Sequence, residues 1–202
     1  MSDKNLVTAT ACVAALLLTG CGTIRYPTYY TLNIVPPPKT AADAGHRSLT
    51  AAVQRFATPD YIRQGRIVYR ESPETIGFYD YHRWAADPGA TITTAMIDTL
   101  RSSRMFSRVV PDDGLEQQEY VVSGRVERLD EVDYGGGVRV EARILAELVS
   151  RRTGQTIWTG DASETSTIET HTIGSIVDAM SHAAGRSIDR LVASMETQLA
   201  RP

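Results

Sequence analysis

Few side chains in this sequence could do covalent chemistry, and the most reactive type among them is a thiol. Cys12 and Cys21 are its two cysteines, and both lie in the first tenth of the chain, so no disulfide can staple the body together. Cys12 sits inside an apolar run from Leu6 to Leu18; Cys21 follows that run after Thr19-Gly20. A thiolate is nucleophilic enough to accept an alkyl or acyl group under mild conditions, whereas a serine hydroxyl is not. Cys21 is therefore the candidate modification site, the alternatives being a buried thiol or a disulfide partner of Cys12. The four histidines, His46, His82, His171 and His182, are scattered. His171 and His182 are eleven residues apart, about three helical turns, too far to share one metal. No metal site is expected.

Other patterns with chemical potential reduce to simpler readings. Gly135-Gly136-Gly137 lacks the following helix that a phosphate loop needs, and it stands where a hairpin must turn. Asp130, Glu131 and Asp133 lack the regular oxygen spacing of a calcium loop and read as a solvated strand end. There is no P-loop, no Gly-x-Gly-x-x-Gly after a strand and no Gly-x-Ser-x-Gly elbow. A hydrolase would need a nucleophile and a base in one pocket, and nothing nominates them. An enzyme is not expected. The unusual segment is Gly77-Phe78-Tyr79-Asp80-Tyr81-His82-Arg83-Trp84, with four aromatics, a histidine and an arginine in eight positions. Because Tyr, Trp and Arg are enriched where proteins meet, Tyr79, Tyr81, Arg83 and Trp84 are candidate partner contacts. The alternative is that one face of this strand fills the core and the other is ordinary edge surface.

The elements that must position these residues follow from periodicity. Residues 1–20 have the polar start, apolar run and small-residue end of a secretory signal. The run is about thirteen residues, whereas crossing the hydrocarbon core takes roughly twenty, which disfavours a permanent span. Residues 21–47 then hold the new N-terminus, a first strand at 29–35 and an exposed proline-rich connector; residues 48–202 form the remaining domain together with that strand. A second strand is expected at about 48–57, with Phe56 out of phase, implying a bulge or an early end. Strands at 66–70 and 75–82 form a hairpin across Ser72-Pro73-Glu74. A short strand is expected at 106–110, and strands at 120–129, 138–149 and 156–162 form an antiparallel meander. Amphipathic spacing predicts helices over about 88–103 and 173–199. The fold class is α+β, a mainly antiparallel sheet covered by those two helices.

Composition narrows the partners. The 202 residues carry 21 Lys+Arg against 24 Asp+Glu, a formal net charge of −3, so the basic balance of a nucleic-acid binder is lacking. Removal of residues 1–20 would take Cys12, Asp3 and Lys4 with it, leaving one cysteine and the same −3.

Two resemblances complete the reading. Leu18-Thr19-Gly20-Cys21 resembles the bacterial lipobox, which implies cleavage before Cys21, S-diacylglycerol on its thiol and an N-acyl chain on the new amine. No other cofactor is expected. Two or three acyl chains make an effectively permanent anchor, and Gly22 in place of Asp implies sorting to the outer membrane. The rest resembles the ABC-type transport auxiliary lipoproteins of the paraquat-inducible protein C type. The resemblance is carried by Tyr29-Tyr30-Thr31-Leu32, Arg66-Ile67-Val68-Tyr69-Arg70 leading to Tyr81-His82-Arg83-Trp84-Ala85, Phe106-Ser107-Arg108-Val109-Val110, Tyr120-Val121-Val122-Ser123-Gly124 and the closing helix. It implies a non-enzymatic outer-membrane lipoprotein facing the periplasm. Its implied role is accessory to intermembrane lipid transport, with a mammalian-cell-entry (MCE) domain protein and an ABC transporter or multi-span permease as partners, and in some members a homo-oligomeric ring. The alternative function is an envelope-assembly lipoprotein supporting a secretion or cell-wall machine.

Overall fold

A computed structural model describes residues 25–38, 49–114 and 118–200. The expected signal segment with Cys21, and residues 39–48 of the expected connector, lie outside them. Eight strands and three helices follow one another as β1 (Thr28–Tyr30), β2 (Thr50–Val53), α1 (Asp60–Arg63), β3 (Arg66–Arg70), β4 (Ile76–Trp84), α2 (Pro88–Ser103), β5 (Arg108–Pro111), β6 (Tyr120–Val132), β7 (Arg139–Ser150), β8 (Thr156–Thr167) and α3 (Ile173–Leu199).

The meander β6–β7–β8 is the frame. In β7, Val140, Ala142, Ile144, Ala146 and Leu148 are buried while Arg139, Glu141, Arg143 and Glu147 are half-exposed, as strict alternation requires. All three glycines of the β6–β7 turn have positive φ, 75°, 103° and 135°, which side-chain-bearing residues rarely adopt. The buried face is roofed by α3, whose Ile176, Met180, Ile188, Leu191 and Met195 recur at three- and four-residue steps and are almost fully buried. Each such side chain contributes about 2 kcal/mol on removal from water. Polar ties fix the helix on the sheet: Ser187 Oγ donates to the Ala142 carbonyl at 2.9 Å and Trp158 Nε1 to Ser194 Oγ at 3.2 Å. The helix starts where Thr172 Oγ1 accepts from the Ser175 amide at 3.2 Å. α2 packs beside α3 and over β2 and β5. It opens with Asp87 accepting from the Gly89 amide, Pro88 in its first turn, and closes at Arg104 in the left-handed region.

The sheet is mostly antiparallel, as expected, with parallel pairs added at its short strands. Its longest ladders, β6–β7 and β7–β8, are antiparallel, as is β3–β4. However, β1–β4, β2–β5, β2–β6 and β3–β6 are parallel, giving a mixed sheet in the order β1–β4–β3–β6–β2–β5 with β7 and β8 continuing from β6. β6 is long enough for its start to pair with β2 and its end with β3 along one edge.

Two strands are shorter than expected. β1 covers only Thr28–Tyr30, because beyond it Leu32 is buried and the Asn33 amide is bonded to Ser181 Oγ on α3 at 3.0 Å. β2 ends at Val53; Phe56 is buried, and its amide donates to Thr93 Oγ1 on α2 at 2.9 Å. Its out-of-phase position thus marks an early end. β6 and β8 run longer than expected, to Val132 and Thr167, and Thr58-Pro59-Asp60 opens the short α1. The β5 strand begins at Arg108, leaving Phe106 to the core.

Candidate functional site

The end of β6 carries two adjacent carboxylates, and strand alternation sends them to opposite faces. Neither is solvated: Asp130 is 0% and Glu131 1% exposed, which corrects the expectation of a wet strand end. A lone buried carboxylate is costly unless it is paired and hydrogen-bonded, and each has recruited partners from distant sequence. Asp130 pairs with the Arg70 guanidinium of β3, itself nearly buried, and accepts from the Leu129 amide at 3.1 Å. The Arg70 guanidinium stacks 5.6 Å from the centroid of the Tyr61 ring, on α1. Burial works to lower the Arg70 pKa, but the Asp130 hydrogen bond and charge hold it above its ordinary value.

Glu131 faces the helix-covered side. It accepts from the Tyr79 hydroxyl at 2.6 Å and lies 2.6 Å from Nε2 of His171, just before α3. Burial first, then the bond to Glu131, raises the Tyr79 pKa well above that of a free phenol. Tyr79 is thus a fixed donor, unsuited to act as a base or nucleophile at neutral pH. These two clusters pin α1, β3, β4 and the start of α3 to the end of β6. No nucleophile with an adjacent base emerges from them.

An open cavity of about 710 Å³ lies between the end of β8 and the first half of α3. Three of the charged groups lining it are paired: His182 lies 3.6 Å from Asp178, and Arg186 3.4 Å from Glu164. Among the described residues no three His, Cys, Asp or Glu side chains converge as a metal site, and no helix is long and apolar enough to cross a membrane.

The aromatic segment is split by the fold. Trp84 is 6% exposed and belongs to the core, so it is not available as a surface contact of this chain. Tyr79 spends its hydroxyl on Glu131. Tyr81 and Arg83 remain at the surface, Tyr81 44% exposed and Arg83 half-exposed. The parallel β1–β4 pairing brings them neighbours that the sequence left unassigned. Tyr29 stands opposite Arg83, and Arg83 opposite Arg66 on β3, forming a row across three strands. The Arg25 guanidinium lies 5.8 Å from the Tyr81 ring centroid, and that of Arg66 lies 5.8 Å from the Phe78 centroid. Tyr26 and Tyr29 are 78% and 61% exposed. The tyrosines at 26 and 29 are visible in the sequence; their union with Tyr81 and Arg83 depends on a parallel pairing across more than fifty residues, which has no local signature.

Against known proteins, residues 30–199 match the family described as ABC-type transport auxiliary lipoprotein component. The chain belongs to that family. The match of this auxiliary lipoprotein runs from β1 to the last residue of α3. Its fold is shared by a DUF330-family protein of Xanthomonas campestris, with 15% identity, TM-score 0.74, 85% of this chain and 97% of that one covered. It is also similar to the crystal structure of an uncharacterized protein with 16% identity, TM-score 0.65, and 85% and 99% covered. A hypothetical protein of Chlamydia trachomatis gives 10% identity, TM-score 0.52, and 76% and 99% covered. No curated protein sequence matches the chain. The auxiliary lipoprotein family implies an envelope location and association with an ABC transporter.

Proposed function

We propose that this protein is a non-enzymatic lipoprotein, acylated at Cys21 and held in the outer membrane facing the periplasm, that serves an ABC-type system moving lipid between the membranes. Its partners in this reading are an MCE-domain protein and the ABC transporter or permease of the same system, met by single copies or by a ring of them. The observation that carries the reading is the family match over residues 30–199, which begins nine residues after the Leu18-Thr19-Gly20-Cys21 signature. The side chains support a scaffold over a catalyst: the strongest polar clusters, around Asp130 and Glu131, are buried and internally paired.

Affinity purification of the full chain from detergent-solubilised envelopes tests the role. Recovery of an MCE-domain protein together with an ABC subunit or multi-span permease is the expected result. Recovery of secretion or cell-wall assembly components in their place would favour the envelope-assembly role and overturn the transport one.

A further inference from the structure

We infer that the outer edge of the sheet, formed by Arg25, Tyr29 and Tyr81 with the Arg83–Arg66 row and Phe78, is a membrane-contact surface that lays the domain against the anionic phospholipid headgroups around its own anchor. The inference rests on acylation of Cys21.

Three independent observations meet there. The first is composition: the large hydrophobics exposed among the described residues are Tyr26, Tyr29, Val35 and Tyr81, three of them tyrosines gathered on β1, β4 and the chain leading into β1. A tyrosine ring has an apolar body and a polar tip, the combination that favours the headgroup level of a bilayer over either water or hydrocarbon.

The second is charge. Arg25, Arg66 and Arg83 make no ion pair with a carboxylate among the described residues, although most other arginines of the domain do. Two of them instead lie over aromatic rings of the same patch. Planar guanidinium groups without carboxylate partners, interleaved with tyrosines, match phosphate-bearing headgroups, which take two parallel N–H donors from one arginine. This concentration of unpaired cations stands out in a chain of net charge −3.

The third is reach. Arg25 is four steps along the chain from Cys21, a separation of at most about 14 Å even when fully extended. The patch therefore begins within about 14 Å of the acyl chains, and the tether raises its effective concentration at the bilayer so that weak contacts are enough to hold an orientation. β1 is also an edge strand with only β4 as neighbour; lying on the headgroups would cover an edge that otherwise invites strand pairing.

The test uses the full chain purified with its anchor and reconstituted into vesicles of phosphatidylethanolamine and phosphatidylglycerol containing brominated acyl chains. Tryptophan reporters are placed by Tyr29→Trp, Tyr81→Trp and, as a control in the turn between β7 and β8, Thr153→Trp; native Trp84 and Trp158 are buried. The expected result is bromine-dependent loss of emission at positions 29 and 81 and none at 153, with the loss reversed by Arg66→Glu plus Arg83→Glu or by phosphatidylcholine vesicles. The mass of the N-terminal peptide reports acylation separately. An acylated protein whose reporters at 29 and 81 are no more quenched than at 153 overturns the membrane contact alone. An unacylated Cys21 overturns the contact and the anchoring together. Crosslinking of position 81 to an acidic protein in intact envelopes, with no quenching by lipid, would assign the patch to a protein partner and likewise overturn the inference.

Discussion

Asp130 and Glu131 determine how the end of the sheet holds together. The Asp130–Arg70 pair is almost completely shielded from water, and breaking such a pair from one side leaves an uncompensated charge in the interior. Asp130→Ala is expected to destabilise the fold by about 3–5 kcal/mol, while Arg70→Met with Asp130→Leu should cost clearly less than the single change. Urea unfolding of the two variants measures the difference. A milder electrostatic contribution sits at the end of β5. Burial works to raise the Asp112 pKa, but Gln54 Nε2 at 3.1 Å and Arg151 Nη2 at 2.9 Å stabilise its ionised form and hold it below the usual carboxylate value. The folded pKa is thus the lower one, so this contribution is present in full above the unfolded value of about 4 and is lost as pH falls through the folded value. With Arg151 a third exposed, it amounts to about 1 kcal/mol or less. The gap in urea midpoint between the protein and Asp112→Asn should accordingly exist at neutral pH and close in acid.

The elements differ in how far local sequence determines them. α2 and α3 are legible because their apolar spacing is local, as in the Ile176–Met195 stripe, and the structure adds their caps at Asp87 and Thr172. Thr172→Ala should remove about 1 kcal/mol, seen as a lowered thermal midpoint with unchanged secondary structure. The meander is legible for the same reason, since β7 alternates without a break. The parallel pairings are not, although the strands themselves are, because β1, β2 and β5 are three or four residues long and find their partners only through chain-distant ladders. Phe56 illustrates the limit. Its disruption of the period is visible, but its destination is not: its ring lies against Gly124 of β6, where an added Cβ would come within 2.5 Å of the Leu145 carbonyl oxygen and 2.8 Å of the ring. Gly124→Ala should therefore cost about 1–3 kcal/mol in urea unfolding by overpacking. The burial of Asp130 and Glu131 escaped local reading because acidic residues beside a glycine turn look solvated until α1, β4 and α3 are placed around them.

The whole molecule is a mixed sheet roofed by two helices on one side, with its polar clusters internally satisfied and three arginines that make no ion pair among the described residues, Arg25, Arg66 and Arg83, set near the β1 edge. This asymmetry suits a protein whose position at a surface is the basis of its role. Of the aromatic segment, the sequence located the right strand, but the fold sends Trp84 to the core and joins Tyr81 and Arg83 to Tyr29 and Arg66. In the proposed role Cys21 is the acyl anchor of an auxiliary lipoprotein. Intact-mass measurement of the protein from isolated envelopes, beside Cys21→Ala, is the decisive experiment. The expected result is a chain beginning at Cys21 with the added mass of its acyl groups, and a Cys21→Ala variant that carries no lipid and leaves the membrane fraction. A protein that retains residues 1–20, or a free thiol at Cys21 with unchanged membrane fractionation of the variant, would contradict it.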